Sequence, residues 1–395
     1  MTSIPEYVKE IINTLAAAGH EAFIVGGCVR DMIRGAIPVD WDIATSALPD
    51  EVKALFSRTF DSGIKHGTVS VLSGGDVCEV TTYRVDGEYL DNRRPSEVTF
   101  SGKIEEDLSR RDFTINAIAY APSRGFVDPF DGRGDISRGL IKCVGDAETR
   151  FGEDALRMLR AVRFAAVLGF SVDGGAIGAI AKLRGNLADI SAERVREELC
   201  KLLCGEHPQA VRLLHETGLM YYVLRGRAFG GELERVISWI EDLGGSDSDA
   251  GRPPLSLLLA LFFSWTGGKC ECILRDLRFD NRTIKIVSRF VEFLPKKIAE
   301  SRYEIKKLLR IFPPEEFEDL LRLKEISQGG CLEKIRAESR DILARGECFT
   351  LRGLAVNGDD LAEIGITGKA AGEALEKFLD AVMRDPNLNT KEALL

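Results

Sequence analysis

Apolar and polar positions change rhythm once along this chain. Up to about residue 130, short runs rich in β-branched residues predict strands at Ala22–Val25, Trp41–Ala44, Thr68–Leu72, Cys78–Tyr83 and Glu97–Phe100. Turn formers such as Ser73-Gly74-Gly75-Asp76 separate them. An amphipathic helix fits Ile4–Ala18, and Gly26-Gly27 breaks the first strand ahead of another helix. After about Asp146 the strand signal fades. Apolar residues then recur three and four apart, as at Leu156, Leu159, Val162 and Ala166, the spacing of one helix face. The expected architecture is α+β, a head with a small mixed sheet over residues 1–146 followed by an all-α body and tail. A helical neck is placed at 147–215 and the body and tail at 216–395, with the polar Gly244–Pro254 linking helical groups.

Composition narrows the class. The 395 residues are 45% hydrophobic and 29% charged, which excludes a disordered, collagen-like or disulfide-scaffold chain. The longest apolar run, Leu255–Trp265, has 11 residues, against about 20 for a membrane span, so it reads as a buried helix and no membrane partner is expected. Glu6 and Glu10 interrupt an N-terminus with no apolar signal core, and a cytoplasmic location is expected. With 53 basic against 62 acidic residues the net charge is −9, so any contact with nucleic acid must use a local basic surface. The nine cysteines contain no CxxC pair and read as reduced thiols.

Candidate chemistry concentrates in the head. Asp40-Trp41-Asp42 lies where a strand begins, and residues two apart on a strand share a face, so both carboxylates would project together. Such a pair chelates Mg²⁺, although a bare DxD is more often a solvated edge. About ten residues earlier, Gly26-Gly27-Cys28-Val29-Arg30-Asp31 follows a strand and opens a helix. Paired glycines there let backbone amides approach a phosphate, with Arg30 adding donors. Glu79 opens a later strand and is a candidate third carboxylate, able to assist deprotonation of an attacking hydroxyl.

In this order, GGCVRD, DWDIATSALPDEV, EVTTYRVDGEYLDNRRP, RRDFTINAIAY, DPFDGRGDI and FGEDALRMLRAVRF resemble the motif set of the class II tRNA nucleotidyltransferase and bacterial poly(A) polymerase family. The motifs cover about residues 23 to 200 and are specific as a set. The resemblance implies a polymerase-β-like nucleotidyltransferase head and template-independent addition of CCA to tRNA 3′ ends from CTP and ATP, with release of pyrophosphate. It implies that Asp40 and Asp42 hold two Mg²⁺ ions. Gly26, Gly27 and Arg30 would hold the triphosphate, and Arg111, Asp112 and Asn116 would attend the sugar and phosphates. Addition of A alone, or of a poly(A) tail, would use the same residues. A non-catalytic RNA-binding protein is the reading from a different class.

Glu153-Asp154-Ala155-Leu156-Arg157 matches the family's nucleotide-selecting motif, and its logic follows from hydrogen bonding. If all three charged residues lie on one helix, Glu153 braces Arg157 while Asp154 and Arg157 face a base edge. Cytosine and adenine both show an amine donor beside a ring-nitrogen acceptor, which suits an aspartate beside an arginine. Guanine and uracil reverse that order and would leave buried groups unpaired. Arg160 and Arg163 continue the helix toward the triphosphate, and Ser191–Leu199 reads as a brace for it. The link Arg84–Pro95, with Arg84, Asp91, Arg93 and Arg94, resembles the family's flexible loop for switching from C to A. For tRNA, Asn281–Arg310 offers nine basic residues against three acidic ones. Arg282, Lys285, Arg289, Lys296, Lys297, Lys306, Lys307 and Arg310 are the expected phosphate contacts.

Overall fold

The computed structural model describes residues 3–87, 98–245 and 252–395. Two compact units result, Met1–Phe229 with Ile273–Phe279, and Gly230–Cys272 with Asp280–Leu395. In the first, α1 (Glu6–Ala17) buries Val8, Ile11, Ile12 and Leu15, the stripe its periodicity predicts. There follow β1 (Ala22–Val25), α2 (Gly27–Arg34), β2 (Asp42–Thr45), α3 (Pro49–Leu55), β3 (Thr59–Gly63), β4 (Thr68–Ser73), β5 (Asp76–Thr82), β6 (Arg84–Asp86) and β7 (Val98–Phe100). Then come α4 (Ile104–Ser109), β8 (Ala119–Ala121), β9 (Gly125–Val127) and α5 (Gly132–Arg138).

Seven strands form one sheet in the order β3-β4-β5-β2-β1-β8-β9, while β6 and β7 make a separate ribbon. The sheet is mixed because β2 and β5 run parallel and the other neighbours antiparallel. Val69, Val71, Cys78 and Val80 are fully buried on one face, where α1 and α3 pack on β4. On the other face, Phe23, Val25 and Ala44 lie beneath Ile104 and Leu108 of α4 and beneath Tyr83. The sequence pattern misses β3, β8 and β9. β3 is an edge strand with the polar run Thr59-Phe60-Asp61-Ser62-Gly63, and the other two are only three residues long.

Next come six helices, α6 (Ala147–Glu153), α7 (Leu156–Leu168), α8 (Gly174–Leu183), α9 (Ala192–Leu203), α10 (Val211–Glu216) and α11 (Leu219–Val223). They belong to the same compact unit as the sheet, and α7 packs along α9. A short parallel pair, β10 (Leu140–Ile141) and β11 (Ser171–Val172), is also present.

The second unit is helical, with α12 (Leu233–Gly245), α13 (Leu255–Phe262), α14 (Cys270–Asp276, whose last residues belong to the first unit), α15 (Asn281–Phe293), α16 (Arg302–Ile311), α17 (Pro314–Gln328), α18 (Glu333–Ala344), α19 (Gly358–Glu363) and α20 (Gly368–Arg384). Residues Leu257 to Phe263 of the apolar run are all buried. Among the described residues no single helix is long and apolar enough to cross a membrane.

Candidate active site

The turn between β1 and α2 brings the glycine pair to the first wall of the site. Gly26 adopts φ 79°, ψ −135°, a conformation open to glycine and strained for other residues. A β-carbon there would stand 2.9 Å from Arg111 Nη1. The Arg111 guanidinium therefore lies directly over the backbone at the start of α2.

Behind this turn runs a chain of charge-assisted hydrogen bonds. Arg30, 9% exposed, donates from Nε and Nη2 to Asp31, both at 2.9 Å, and from Nη1 to Asn116 Oδ1 at 2.7 Å. Asn116 Nδ2 donates to Asp112 Oδ1 at 3.1 Å, and Arg160 Nε donates to Asp112 Oδ2 at 2.8 Å. Glu198 continues the chain, 3.6 Å from Arg160 Nη1 and 2.6 Å from Arg163 Nε. Burial pushes the Asp112 carboxyl up, but Arg160, Asn116 and the Phe113 amide outweigh it and hold the group at about 2. The Phe164 ring lies within 5.5 Å of the Arg30, Arg160 and Arg163 guanidiniums, and Arg163 is closest at 3.6 Å.

The acidic centre differs from the strand picture. Pairing begins at Asp42, opposite Glu79 on β5, so Asp40 stands ahead of β2. Exposed Asp40 and Asp42 still flank buried Trp41, so the alternation continues one step ahead of the paired residues. Trp41 is buried, as its place between the carboxylates requires. Withdrawal from water, then the Glu79 and Asp40 carboxylates, push the Asp42 carboxyl up, and Arg111 opposes them. Among the described residues no three His, Cys, Asp or Glu side chains converge to hold a metal. Crowded acids with too little internal countercharge fit a hard cation. Magnesium commonly takes one or two carboxylates and completes its shell with water and substrate phosphates.

The Glu153–Arg157 segment is broken rather than helical. α6 ends at Glu153, Asp154 is extended at φ −138°, ψ 104°, and α7 begins at Leu156. Glu153 pairs with Arg157 Nη1 as expected. Arg157, 8% exposed, is fixed further by the carbonyls of Arg150 (3.1 Å) and Arg110 (3.0 Å). Asp154 does not face outward unattended. Its oxygens accept from Arg194 of α9 at 3.2 and 2.7 Å, and Oδ1 also caps the Leu156 amide at 3.1 Å. The stretch read as a brace thus reaches the motif directly.

These parts line one cleft of about 420 Å³, within the usual range for small-molecule sites. Its wall holds Gly26, Gly27, Arg30, Asp42, Arg110, Arg111, Asp112, Asn116, Asp154, Leu156, Arg157, Arg160, Phe164 and Arg194. Asp40, Glu79, Glu153 and Arg163 are not part of that wall. Arg163 is turned away because Glu198 and the Phe164 ring hold its guanidinium. Sequence reasoning overlooked Arg110 and Phe164, and behind them Asp107, and it placed Arg194 and Glu198 only within the bracing stretch Ser191–Leu199. Asp107 is fully buried and accepts from Arg110 Nη2 at 2.7 Å and Arg111 Nη2 at 3.0 Å. Its three- and four-residue spacing from those arginines, which follow the end of α4, was a visible signal. The pairing of Arg194 with Asp154, 40 residues away, has no local spacing to reveal it.

One residue of the basic stretch of the second unit, Lys306, needs correction. Lys306 is 1% exposed, pairs with Glu347 at 2.6 Å and donates to the Met383 carbonyl at 3.1 Å, so it cannot meet a phosphate. Arg289 pairs with Glu316, and Arg310 is held bidentately by Glu376. Lys296 and Lys307 pair with Glu292 and Glu304. Arg282, Lys285 and Lys297 are exposed. In the loop, Arg84 donates to the His66 carbonyl, whereas Asp91, Arg93 and Arg94 lie outside the described residues.

Comparison with known proteins agrees with this fold. The poly A polymerase head domain model matches residues 22–142, and a polymerase A segment described as a probable RNA- and SrmB-binding site matches 169–228. A CCA-adding enzyme of Leuconostoc mesenteroides is 37% identical over 400 residues, covering 100% of this chain and 96% of that protein. The chain belongs to the CCA-adding enzyme family. A second member, from Lactiplantibacillus plantarum, is 53% identical over 213 residues, a match that spans about half of each protein, 53% of this chain and 52% of the other. The crystal structure of the Bacillus stearothermophilus CCA-adding enzyme in complex with CTP superimposes with a TM-score of 0.85 at 34% identity, covering 99% of this chain and 96% of that one.

Proposed function

We propose that this protein adds CCA to the 3′ end of tRNA without a template, using CTP and ATP and releasing pyrophosphate. The observation that carries the reading is the single cleft in which Asp42, the Gly26–Arg111 turn and the Asp154–Arg157 break share one wall. The RNA 3′-hydroxyl attacks the α-phosphorus, and the bond to the bridging oxygen of the pyrophosphate breaks. Asp40 and Asp42 would hold two magnesium ions, which supply charge to acidify the hydroxyl and offset the triphosphate. Backbone amides at Gly26 and Gly27, with Arg111, receive the phosphates, while Arg30, Asn116 and Asp112 keep that wall rigid. Glu79, opposite Asp42 in the strand register, would assist proton removal. Asp154, held by Arg194, accepts from the amine of cytosine or adenine, and Arg157 donates to the neighbouring ring nitrogen. Exposed Arg282, Lys285 and Lys297 are assigned to tRNA phosphates, and a tRNA substrate places the work in the cytoplasm.

The test uses tRNAs ending at the discriminator base, at C and at CC, each with CTP, ATP or both. Completion of all three to CCA, with GTP and UTP ignored, is expected. Extension of the CC-ending tRNA alone would make this an A-adding enzyme, and long A tails on unrelated RNA a poly(A) polymerase. Asp42→Ala should abolish transfer, while Arg157→Ala should chiefly loosen base choice.

A further inference from the structure

One half of the catalytic sheet carries an apolar surface that the mechanism leaves unused. Register sets Phe60 opposite Ser70, Ser70 opposite Glu79, and Glu79 opposite Asp42. Paired residues share a face, so these four form one row across β3, β4, β5 and β2. Val77 and Leu72, paired two residues along, widen it. Phe60 is 57% exposed and Val77 56%. The solvated face of such a sheet is normally polar, and large apolar groups gathered on it mark a contact surface. On this same face α4 and Tyr83 cover Phe23, Val25 and Ala44, which belong to β1 and β2. Asp42 stands at the border of that cover, and the row leads up to it, exposed at Phe60 and Glu79 with the small Ser70 buried between them.

We propose that this row seats the single-stranded 3′ end of the RNA acceptor, with Phe60 as a stacking platform for a base upstream of the reacting nucleotide. The inference rests on the function proposed above. At about 4.8 Å per strand, Phe60 lies roughly 14 Å from Asp42. That is about four stacked nucleotides, or fewer in an extended strand. The row itself contains an aromatic ring, an aliphatic margin and carboxylates, with no cation. Attraction there comes from base stacking, which tolerates any base, and phosphate contacts belong elsewhere. RNA is favoured over a protein partner because the row terminates on the carboxylate to which a hydroxyl must be delivered.

Steady-state kinetics on the full chain test this with Phe60→Ala, an exposed change whose melting curve should match the wild type. The KM for tRNA ending in CC should rise about ten-fold, with the KM for ATP and kcat at saturating tRNA unchanged. Phe60→Trp should restore the tRNA KM. An unchanged tRNA KM in an active Phe60→Ala enzyme overturns the proposal, as does an equal rise in the ATP KM. So does loss of a wild-type self-association in sedimentation velocity with tRNA KM intact, which would make the patch a contact between copies. If the wild-type protein extends no tRNA at all, the functional reading itself fails.

Discussion

Asp107→Asn probes whether the cleft depends on a carboxylate that never touches it. Asp107 has no exposed side-chain surface, and two arginines converge on it. At an effective dielectric of 20 and a separation near 4 Å, each pair is worth about 4 kcal/mol before desolvation is charged against it. Against the upward push of burial, Arg111 and Arg110 hold the Asp107 carboxyl below the ordinary carboxylate range. Breaking a buried pair usually costs about 3–5 kcal/mol. Arg110 and Arg111 retain 17% and 20% exposure and can be rehydrated, so about 3 kcal/mol is expected here. For a unit of this size that lowers Tm by about 6–12 °C. The functional effect should be specific, because the Arg110 carbonyl holds Arg157 and Arg111 lies over Gly26. Differential scanning calorimetry gives the first quantity, and initial rates with each of the four nucleotides give the second. We expect higher KM for CTP and ATP and a poorer ratio of C and A over G and U, at temperatures where the variant is folded. A variant that melts within about 2 °C of wild type, or one that is destabilised yet keeps KM and selectivity, would refute the reasoning.

Gly26→Ala should add about 1–3 kcal/mol of backbone strain and displace Arg111, abolishing most nucleotide binding in a fluorescence titration while the fold survives. Lys306→Met should destabilise the second unit by about 2 kcal/mol, below the usual cost because Glu347 keeps Arg302. Its RNA affinity should keep the wild-type salt slope, whereas Lys285→Glu should flatten it. Asp112 has a folded pKa of about 2, below its ordinary value. Its contribution of about 2 kcal/mol is therefore present above about pH 4 and lost as pH falls toward about 2. Acid unfolding of Asp112→Asn should be shallower across that window.

Local pattern was enough for the strands and helices that alternate or repeat cleanly, such as Ala22–Val25, Thr68–Ser73 and the Val8–Leu15 stripe, because burial on one face imposes a period that the chain itself displays. Resemblance to a known motif set, rather than periodicity, marked Asp42, Gly26, Arg111, Asp154 and Arg157 as a chemical set. Tertiary structure decided what each of these can do. Asp154 leaves the helix because the chain breaks between Glu153 and Leu156, and Arg194, 40 residues away, takes its oxygens. Lys306 belongs to the core because Glu347 and the Met383 carbonyl surround it, although its neighbours read as a basic surface. Such outcomes depend on partners distant in sequence. A charged side chain is withdrawn from water only where folding brings it a counterion, and no local pattern records which one arrives.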